Sequence, residues 1–334
     1  MAIKRTTKKK SRSAAEVRDL VSAYKRMLSV RVAQEELVKL YLEKKIFSMV
    51  HFYIGQEAVA VGVCDALRKS DKVMGNHRSH GHYLAKGGSF RTLVCELLGR
   101  ANGSAHGKGG SMHMIAKGAN FVGSTPLLGS VAPIAAGVAF EQKYSGRDSI
   151  TAAFYGDGAS EEGVVYETYN LAALYKLPLL LVVENNFLSI NSKIKDRRSA
   201  RYSLKTIVEG FGLRYERADG NDYDDVHAKA RELAEYIRTR QAPAVLECTV
   251  YRHMAHSTPL TEETYREEDK LENRLANDAL KRKFDQLVTA GYSEKKLFAM
   301  KEAMRTSVLQ DIEFAQKSPF PSKKELFTDM YFRQ

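Results

Sequence analysis

The feature that most constrains this chain is a Gly156-Asp157-Gly158 turn, followed 29 positions after its aspartate by the second residue of an Asn185-Asn186 pair. An apolar run leads into each motif, at residues 150–155 and 179–183. Runs of this kind predict buried parallel strands. The segment between them, 162–175, has the spacing of a helix. The candidates for its buried face are Val164, Val165, Tyr169, Ala172 and Ala173.

A strand–helix–strand unit brings the Asp157 carboxylate and the Asn186 amide oxygen to the carboxyl edge of one sheet, where open α/β sheets bind ligands. Both oxygens are hard ligands suited to magnesium or calcium, and magnesium usually takes further ligands from phosphates and water. Gly156 and Gly158 let the backbone approach a bulky anion, and the following helix offers N–H groups to it. The pattern therefore predicts a metal-bridged diphosphate site, whereas an Asp-Gly turn alone is more often structural.

These residues also carry a resemblance to a family. The run from Gly156-Asp157-Gly158-Ala159 to Asn185-Asn186 resembles the signature of thiamine diphosphate enzymes. Residues 167–178 are similar to the alpha subunit of the thiamine-dependent 2-oxo acid dehydrogenase component, the group of pyruvate, branched-chain and acetoin dehydrogenases. The resemblance covers nearly the whole chain beyond its N-terminal arm. Other matching segments are residues 53–58, 76–82, 107–113, 252–257 and 318–321.

The resemblance implies an α/β thiamine diphosphate-binding fold, with a doubly wound, mainly parallel sheet and helical additions at both ends. We expect residues 1–13 to form a basic flexible arm and residues 14–334 to form a single domain. Hydrophobic residues make up 44% of the 334 residues, enough for a large core. The Gly-, His- and Ser-rich segment 103–123 lacks periodicity, and we interpret it as an ordered functional loop.

Composition also limits the surroundings in which the protein works. No apolar stretch in the sequence reaches the length of a membrane span, and the N-terminus lacks the apolar centre of a signal peptide. Cys64, Cys95 and Cys248 lie far apart and show no metal-binding spacing. We interpret them as free buried thiols in a reducing cytoplasm.

The net charge of +12 includes six basic residues in the N-terminal arm. Such a run usually forms a solvated segment, while an acidic partner or nucleic acid is the functional alternative. No nucleic-acid motif and no interleaved aromatic residues accompany it. We therefore expect neither a nucleic acid nor a membrane as a partner. The basic residues of the arm are Lys4, Arg5, Lys8, Lys9, Lys10 and Arg12.

By resemblance, the cofactors are thiamine diphosphate and Mg²⁺. The resemblance implies that Asp157, Asn186 and the backbone carbonyl of Leu188 bind the magnesium. The resemblance implies that Arg78 contacts the phosphates, and a guanidinium suits phosphate geometry. It implies less specifically that His77 donates a hydrogen bond to a phosphate. The remaining cofactor-binding residues are Gly156, Gly158, Ala159, Ile190 as the wedge between the cofactor rings, and Pro126 and Leu128 beside the aminopyrimidine. Pro126 lacks an N–H, so only its carbonyl can serve there.

Histidine is the usual proton carrier near neutral pH. His256 aligns with the active-site histidine of the family, on a loop thought to close over the cofactor. His51, His80 and His113 are weaker candidates, and of these three we keep His80 as a second catalytic residue. For a lone histidine, an ordinary structural role is as common as a catalytic one.

The resemblance implies decarboxylation of a 2-oxo acid and reductive transfer of the acyl group to a lipoyl carrier. Formation of the reactive thiamine carbanion needs a glutamate that single-chain thiamine enzymes take from a second α/β domain. The residues after Val250 are charged and helical and cannot build a second sheet. The chain therefore looks like half of an active site. The resemblance implies that a beta subunit supplies the glutamate in an α2β2 assembly, and that a lipoyl-carrier acyltransferase is a further partner.

Several departures from the pyruvate-type pattern leave the 2-oxo acid and the acceptor open. They are Ser124-Thr125-Pro126, Ala255 and residues 257–261. One alternative is a non-oxidative decarboxylase, carboligase or transketolase-like enzyme of specialised, sugar-related metabolism. Another is a catalytically inactive scaffold, against which the presence of Asp157, Asn186, Arg78 and His256 argues.

Overall fold

A computed structural model of the chain describes residues 13–257 and 271–328. Residues 1–12 of the expected basic arm lie outside the described residues. Ser13, the last residue of the expected arm, instead caps the first helix: its hydroxyl accepts from the Glu16 N–H, and the Glu16 carboxylate accepts from the Ser13 N–H. This reciprocal capping satisfies two N–H groups at the helix start.

The strands of the described residues form one large sheet and one short hairpin. They are β1 (Lys72–Gly75), β2 (Phe121–Ser124), β3 (Thr151–Gly156), β4 (Leu179–Asn185), β5 (Leu188–Ser189), β6 (Ser192–Lys193), β7 (Arg214–Asp219) and β8 (Ala244–Thr249). The large sheet has the order β2-β1-β3-β4-β8-β7, and all its pairs are parallel. Strands β5 and β6 pair antiparallel. The expected mainly parallel α/β sheet is confirmed.

Helices cover both faces of the sheet, and further helices precede and follow the strands at the two ends of the described chain. They are α1 (Ala14–Leu42), α2 (Glu57–Ala66), α3 (His80–Lys86), α4 (Phe90–Leu97), α5 (Val131–Tyr144), α6 (Gly163–Leu174), α7 (Ile194–Arg197), α8 (Leu204–Gly210), α9 (Tyr223–Arg240), α10 (Leu271–Ala276), α11 (Ala279–Thr289) and α12 (Glu294–Lys317). Helices α11 and α12 pack on α1, as the expected helical additions. No helix among the described residues combines the length and apolar character that a membrane span requires.

Each face of the sheet has its own hydrophobic core, because successive residues of a strand point to opposite faces. In β4, Leu180 and Val182 pack with α1, α2 and α9, whereas Leu181 and Val183 pack with α5 and α6. The strand is fully buried. The continuous apolar run that predicted it is therefore the signature of a strand covered on both sides.

The central unit, β3–α6–β4, positions the carboxyl edge where the candidate site lies. Strands β3 and β4 pair in register, with Gly156 opposite Glu184, so the residues that follow each strand are neighbours in space. On α6, three of the five expected core residues are buried, and the other two are partly buried against the same core. The buried residues are Val165, Tyr169 and Ala172, and the partly buried ones are Val164 and Ala173.

The segment 103–123 is not loop throughout. It contains two short 3₁₀ turns, Gly110–Met112 and Lys117–Ala119, and it runs into the edge strand β2. Strand β2 is only four residues long and includes one glycine and one serine. It has no apolar alternation, and for that reason its sequence did not predict a strand.

Candidate functional site

A cavity opens at the carboxyl edge of the sheet, between the turn after β3 and the hairpin after β4. Eleven of the thirteen residues expected at the site line it. Two expected residues, His80 and Pro126, are not part of its wall. The lining residues from the expected set are His77, Arg78, Leu128, Gly156, Asp157, Gly158, Ala159, Asn186, Leu188, Ile190 and His256.

Asp157, the first residue after β3, is 1% exposed. Its Oδ2 accepts a hydrogen bond of 2.6 Å from Arg197, and its Oδ1 is buried with no hydrogen-bond partner among the described residues. Burial raises the pKa of Asp157, and the charges of Arg197 and Arg198 offset only part of that rise. A buried carboxylate oxygen without a donor is costly, so this atom is suited to a cation.

Arg197 and Arg198 follow the hairpin and close one side of the turn. Both guanidinium groups pair with Glu161, and Arg198 also donates to the Asp157 carbonyl at 2.7 Å and to the Ser160 hydroxyl at 2.9 Å. The arginines are largely buried, with side-chain exposures of 14% and 7%. The turn after β3 is thus held by charges that lie 36 to 41 residues away in sequence.

The hairpin β5–β6 lies against the Gly-Asp-Gly turn. A Cβ atom on Gly158 would come within 2.6 Å of the Ser189 hydroxyl oxygen, so this contact requires glycine. The Asn186 amide oxygen accepts a hydrogen bond of 3.1 Å from the Leu188 N–H, at the start of the hairpin. Asp157, Asn186 and Leu188 therefore face one cavity from two adjacent segments.

Ile190 is at the tip of this hairpin in an uncommon backbone conformation. Its φ is +55°, in the left-handed region that β-branched residues avoid. Its side chain is 56% exposed rather than packed in the core. Arg252, which is 2% exposed, has both terminal guanidinium nitrogens 3.4 Å from the Ile190 carbonyl. A strained residue at the mouth of a cavity points to a functional position.

Arg78 connects the loop after β1 to the segment of His256. The guanidinium donates to the Phe52 carbonyl at 2.6 Å and to the His256 carbonyl at 2.9 Å, while its backbone N–H donates to Asn76. Arg78 is 4% exposed and lines the cavity. It therefore positions the His256 backbone and places a positive charge in the wall of the cavity.

The deep wall of the cavity holds a buried carboxylate that the sequence interpretation missed. Glu184, the sixth residue of β4, accepts from the Tyr53 hydroxyl, lies 3.0 Å from the His82 Nε2 and 3.4 Å from the Asn76 amide nitrogen. A glutamate that ends an apolar strand was the available signal, because a buried charge is rare without partners. Gln56, Asn76, Ser189 and Arg252 were also missed as lining residues.

Three imidazoles gather at one side of the cavity. The ring centroids of His51 and His77 are 4.5 Å apart, those of His51 and His256 are 4.8 Å apart, and those of His77 and His256 are 5.6 Å apart. Burial and the charge of Arg78 lower all three pKa values, to about 3 for His51, to about 4 for His256, and well below the usual value for His77. The three rings are therefore neutral at pH 7.

His80 lies outside the cavity and is fully buried. Its Nδ1 is 3.3 Å from the Gln34 amide nitrogen, and its Nε2 is 2.9 Å from the Ser111 hydroxyl. Burial lowers the pKa of His80 to about 4. Both ring nitrogens have protein partners, so the ring links α3 to the 103–123 segment instead of facing a ligand.

The donor set fits a magnesium diphosphate. Asp157 offers an unpartnered buried carboxylate oxygen, Asn186 an amide oxygen, and Leu188 a carbonyl at the same edge. Hard oxygen ligands of this kind suit Mg²⁺ when phosphate and water complete its shell. The turn 156–158 leads into a 3₁₀ turn (Ala159–Glu161) and then α6, whose N–H groups lie at the same end.

Comparison with known proteins identifies the family. The family model of the dehydrogenase E1 component matches residues 24–324. The pyruvate dehydrogenase E1 component subunit alpha of Zymomonas mobilis is 37% identical over 318 residues, covering 95% of this chain and 89% of that protein. The subunit of the same name from Rhizobium meliloti is also 37% identical, over 93% of this chain and 90% of its own length. The mitochondrial one from Chaetomium thermophilum is 36% identical, over 95% and 77%.

Proposed function

The chain belongs to the dehydrogenase E1 component family, and from this premise we propose how its residues serve the reaction. The protein is the alpha subunit of a heteromeric, thiamine diphosphate-dependent 2-oxo acid dehydrogenase, and it has a beta-subunit partner. The observation that carries the assignment of the site is the unpartnered Oδ1 of Asp157, which faces Asn186 and Leu188 across the cavity.

We assign the metal end of the cofactor site to Asp157, Asn186 and the Leu188 carbonyl, with Mg²⁺ as the ion. The cofactor phosphates would be bound by Arg78, by His77 and by the backbone around Gly156, Gly158 and Ala159. Arg78 is already held by two carbonyls, so little side-chain entropy is lost when it meets an anion.

At the ring end, Ile190 is the wedge, and its strained backbone keeps the side chain projecting instead of turning into the core. Leu128 lines the cavity, and we assign it to the aminopyrimidine end of the cofactor. Pro126 lies near Leu128 in the chain but not in the wall, so its proposed contact through the carbonyl is the weakest of this set.

Thiamine diphosphate, when bound, supplies the electron sink for decarboxylation of a 2-oxo acid. Our assignment gives His256 the proton-handling role in this chain. Burial, and then the charges of Arg78 and Arg252, lower the pKa of His256, so its imidazole is neutral and can accept a proton or donate an N–H hydrogen bond to the substrate. An anionic substrate would raise that pKa, because it offsets the positive charges. His80 would act as a positioning residue behind this group.

Two further parts of the proposal concern partners and location. The glutamate that activates the aminopyrimidine would come from the beta subunit in an α2β2 assembly, and the acyl group would pass to a lipoyl-carrier acyltransferase. The three cysteines are free and buried. Free thiols are typical of a reducing compartment, which supports a cytoplasmic location.

Calorimetric titration of thiamine diphosphate with magnesium tests the proposal on the chain co-purified with its beta subunit. We expect tight, magnesium-dependent binding that Asp157→Asn weakens by at least about 100-fold, since the negative charge of the carboxylate is lost where the metal binds. Asp285→Asn, at an exposed surface ion pair, is the matched control. Equal affinity of Asp157→Asn and the control would contradict the assignment of the metal ligands.

A further inference from the structure

The cluster of His51, His77 and His256 has a property that the cofactor assignment does not use. One ligand nitrogen from each of these residues lies within 4.8 Å of the other two. The Nδ1 atoms of His51 and His77 are buried and have no hydrogen-bond partner among the described residues. Buried imidazole nitrogens normally have partners, so His51 and His77 each have a ring nitrogen that a small, electron-accepting ligand can use.

We propose that His51, His77 and His256 form a three-histidine site for a divalent first-row transition metal such as Zn²⁺, distinct from the Mg²⁺ site at Asp157. Imidazole nitrogen is a borderline ligand that suits zinc, copper, nickel and iron, whereas magnesium prefers oxygen. Three histidines with one open position are an established donor set for zinc.

The geometry is close to that of a bound site. Zinc–nitrogen bonds of about 2.0 to 2.1 Å place the nitrogens of a tetrahedral site roughly 3.4 Å apart. The present separations of up to 4.8 Å therefore require each ring to move inward by less than 1 Å. Side-chain rotation can supply this movement for His77 and His256, which border the open cavity.

The electrostatics act in two directions. Arg78 and Arg252 oppose any cation, so the site binds less tightly than an uncharged three-histidine site would. The same charges, together with burial, keep the rings deprotonated, which is the form that ligates metals. Arg78 is also tied to the carbonyls of Phe52 and His256, which directs two of its N–H groups at backbone oxygens.

Contacts to the backbone hold the three histidine segments together independently of a metal. His51 precedes Phe52, whose carbonyl accepts from Arg78, and His77 precedes Arg78 itself. His256 is held by the same guanidinium through its carbonyl. One buried side chain thus organises all three donors, and the three segments meet without a metal to bring them together.

A consequence for activity rests on the proposed function. A metal on His256 blocks its lone pair, and a metal on His77 occupies the wall of the cofactor cavity. The site would therefore inhibit the enzyme and would compete with thiamine diphosphate. Metal binding to the three histidines does not depend on the cofactor assignment, so an experiment can contradict one proposal without contradicting the other.

The test is titration of the metal-free full chain with ZnCl₂ in the absence of thiamine diphosphate, followed by calorimetry. We expect one Zn²⁺ per chain, with affinity lowered at least about tenfold in each of His51→Gln, His77→Phe and His256→Gln, since even outer partners of metal ligands typically contribute 10- to 100-fold. His227→Gln on α9, away from the cavity, is the matched control. Unchanged affinity in His77→Phe or His256→Gln would overturn the proposal.

A second measurement uses the unaltered chain, so its result does not depend on whether a histidine variant folds. Addition of CoCl₂ should produce the intense visible absorption of four-coordinate cobalt with nitrogen ligands, and ZnCl₂ should abolish it by displacement. Weak absorption typical of six-coordinate, hydrated cobalt would overturn the site. If zinc binds as expected but thiamine diphosphate does not affect it, the metal site stands and its overlap with the cofactor is wrong.

Discussion

Arg197 donates to the carboxylate of Asp157 across 2.6 Å, so an arginine of this chain already contacts the group that we assign to magnesium. Both side chains are buried, with exposures of 14% and 1%. The positively charged guanidinium therefore lies beside the carboxylate at which a metal ion would bind. A divalent ion at Asp157 must therefore share the carboxylate with Arg197 or displace it toward Glu161, its other partner.

Replacing Arg197 should strengthen metal binding at Asp157. Arg197→Met keeps the length and apolar stem of the side chain but removes the competing charge, so we expect several-fold tighter binding of Mn²⁺, used as a paramagnetic probe for Mg²⁺. Electron paramagnetic resonance of free Mn²⁺ measures this on the chain without thiamine diphosphate.

Arg201→Met, at an exposed position four residues further on, controls for the change in net charge. Weaker Mn²⁺ binding in Arg197→Met than in Arg201→Met would mean that Arg197 supports the metal site rather than competes for it.

The conformation of Ile190 predicts an unusual order of stabilities. A β-branched residue in the left-handed region is strained by about 1–2 kcal/mol, and glycine is not, although it loses about 0.5–1 kcal/mol through unfolded-state entropy. We therefore expect Ile190→Gly to be more stable than Ile190→Ala by about 0.5 kcal/mol, measured by urea denaturation.

At positions with a negative φ, the alanine variant is usually more stable than the glycine variant. A result in which Ile190→Ala is the more stable variant would therefore argue against strain at this position. Both variants should lose activity if the Ile190 side chain is the wedge, with little change in Mn²⁺ affinity as the control for an intact metal site.

A buried ion cluster joins the N-terminal helix to the body of the protein. Arg31 on α1 donates to Glu57 at 2.6 and 3.0 Å and to Asp278 at 2.8 Å. Burial alone would lower the pKa of Arg31, but the charges of Glu57 and Asp278 raise it. Arg31→Met leaves two buried carboxylates without their cation, so the free energy of unfolding should fall by about 3–5 kcal/mol.

Lys281→Met serves as the control, because Lys281 forms an exposed pair with Asp285. Its effect on the free energy of unfolding should stay within about 0.5 kcal/mol. Chemical denaturation of the two variants would contradict the prediction if they showed similar losses.

His80 makes stability depend on pH in a defined direction. Its folded pKa of about 4 lies below the unfolded value of about 6.5. Between these values the unfolded chain binds a proton that the folded chain does not, so stability is fully present above pH 6.5 and falls as the pH approaches 4. From pH 7.5 to 5.0 this residue should account for a loss of about 2 kcal/mol.

Urea denaturation of His80→Gln at the same two pH values measures that contribution, because glutamine does not titrate. The exposed His106 provides the control substitution, His106→Gln. An equal pH-dependent loss in the unaltered chain and in His80→Gln would show that His80 takes up its proton in both the folded and unfolded states.

The part of the site that depends on strand ends was predictable from sequence. Asp157 and Asn186 follow two continuous apolar runs, and parallel strands bring such ends to one edge. The roles of Arg78, Ile190 and His256 came from resemblance. That interpretation placed them correctly at one cavity, although their roles stay predictions.

The rest required three-dimensional information. Arg197 pairs with Asp157, which lies 40 residues earlier in the sequence. The spacing of apolar residues predicts helices and strands, but it does not predict a contact between a turn and a short helix. Glu184 looked like the end of an apolar run, but its role depends on Tyr53 and His82 from two other segments. The resemblance favoured His256 over His80, but only the structure shows that both ring nitrogens of His80 have protein partners and that His256 lines the cavity.

The two partners of the Arg197–Asp157 pair come from elements of very different size. Asp157 follows β3, an interior strand that is hydrogen-bonded to a neighbouring strand on each side. Arg197 ends the four-residue helix α7, which follows a hairpin whose two strands have two residues each. Local opening should cost far less at the arginine than at the aspartate. Exchange of cations at the site can therefore proceed by fluctuation of residues 187–198 alone, on a timescale much shorter than unfolding, while the ligand stays in place.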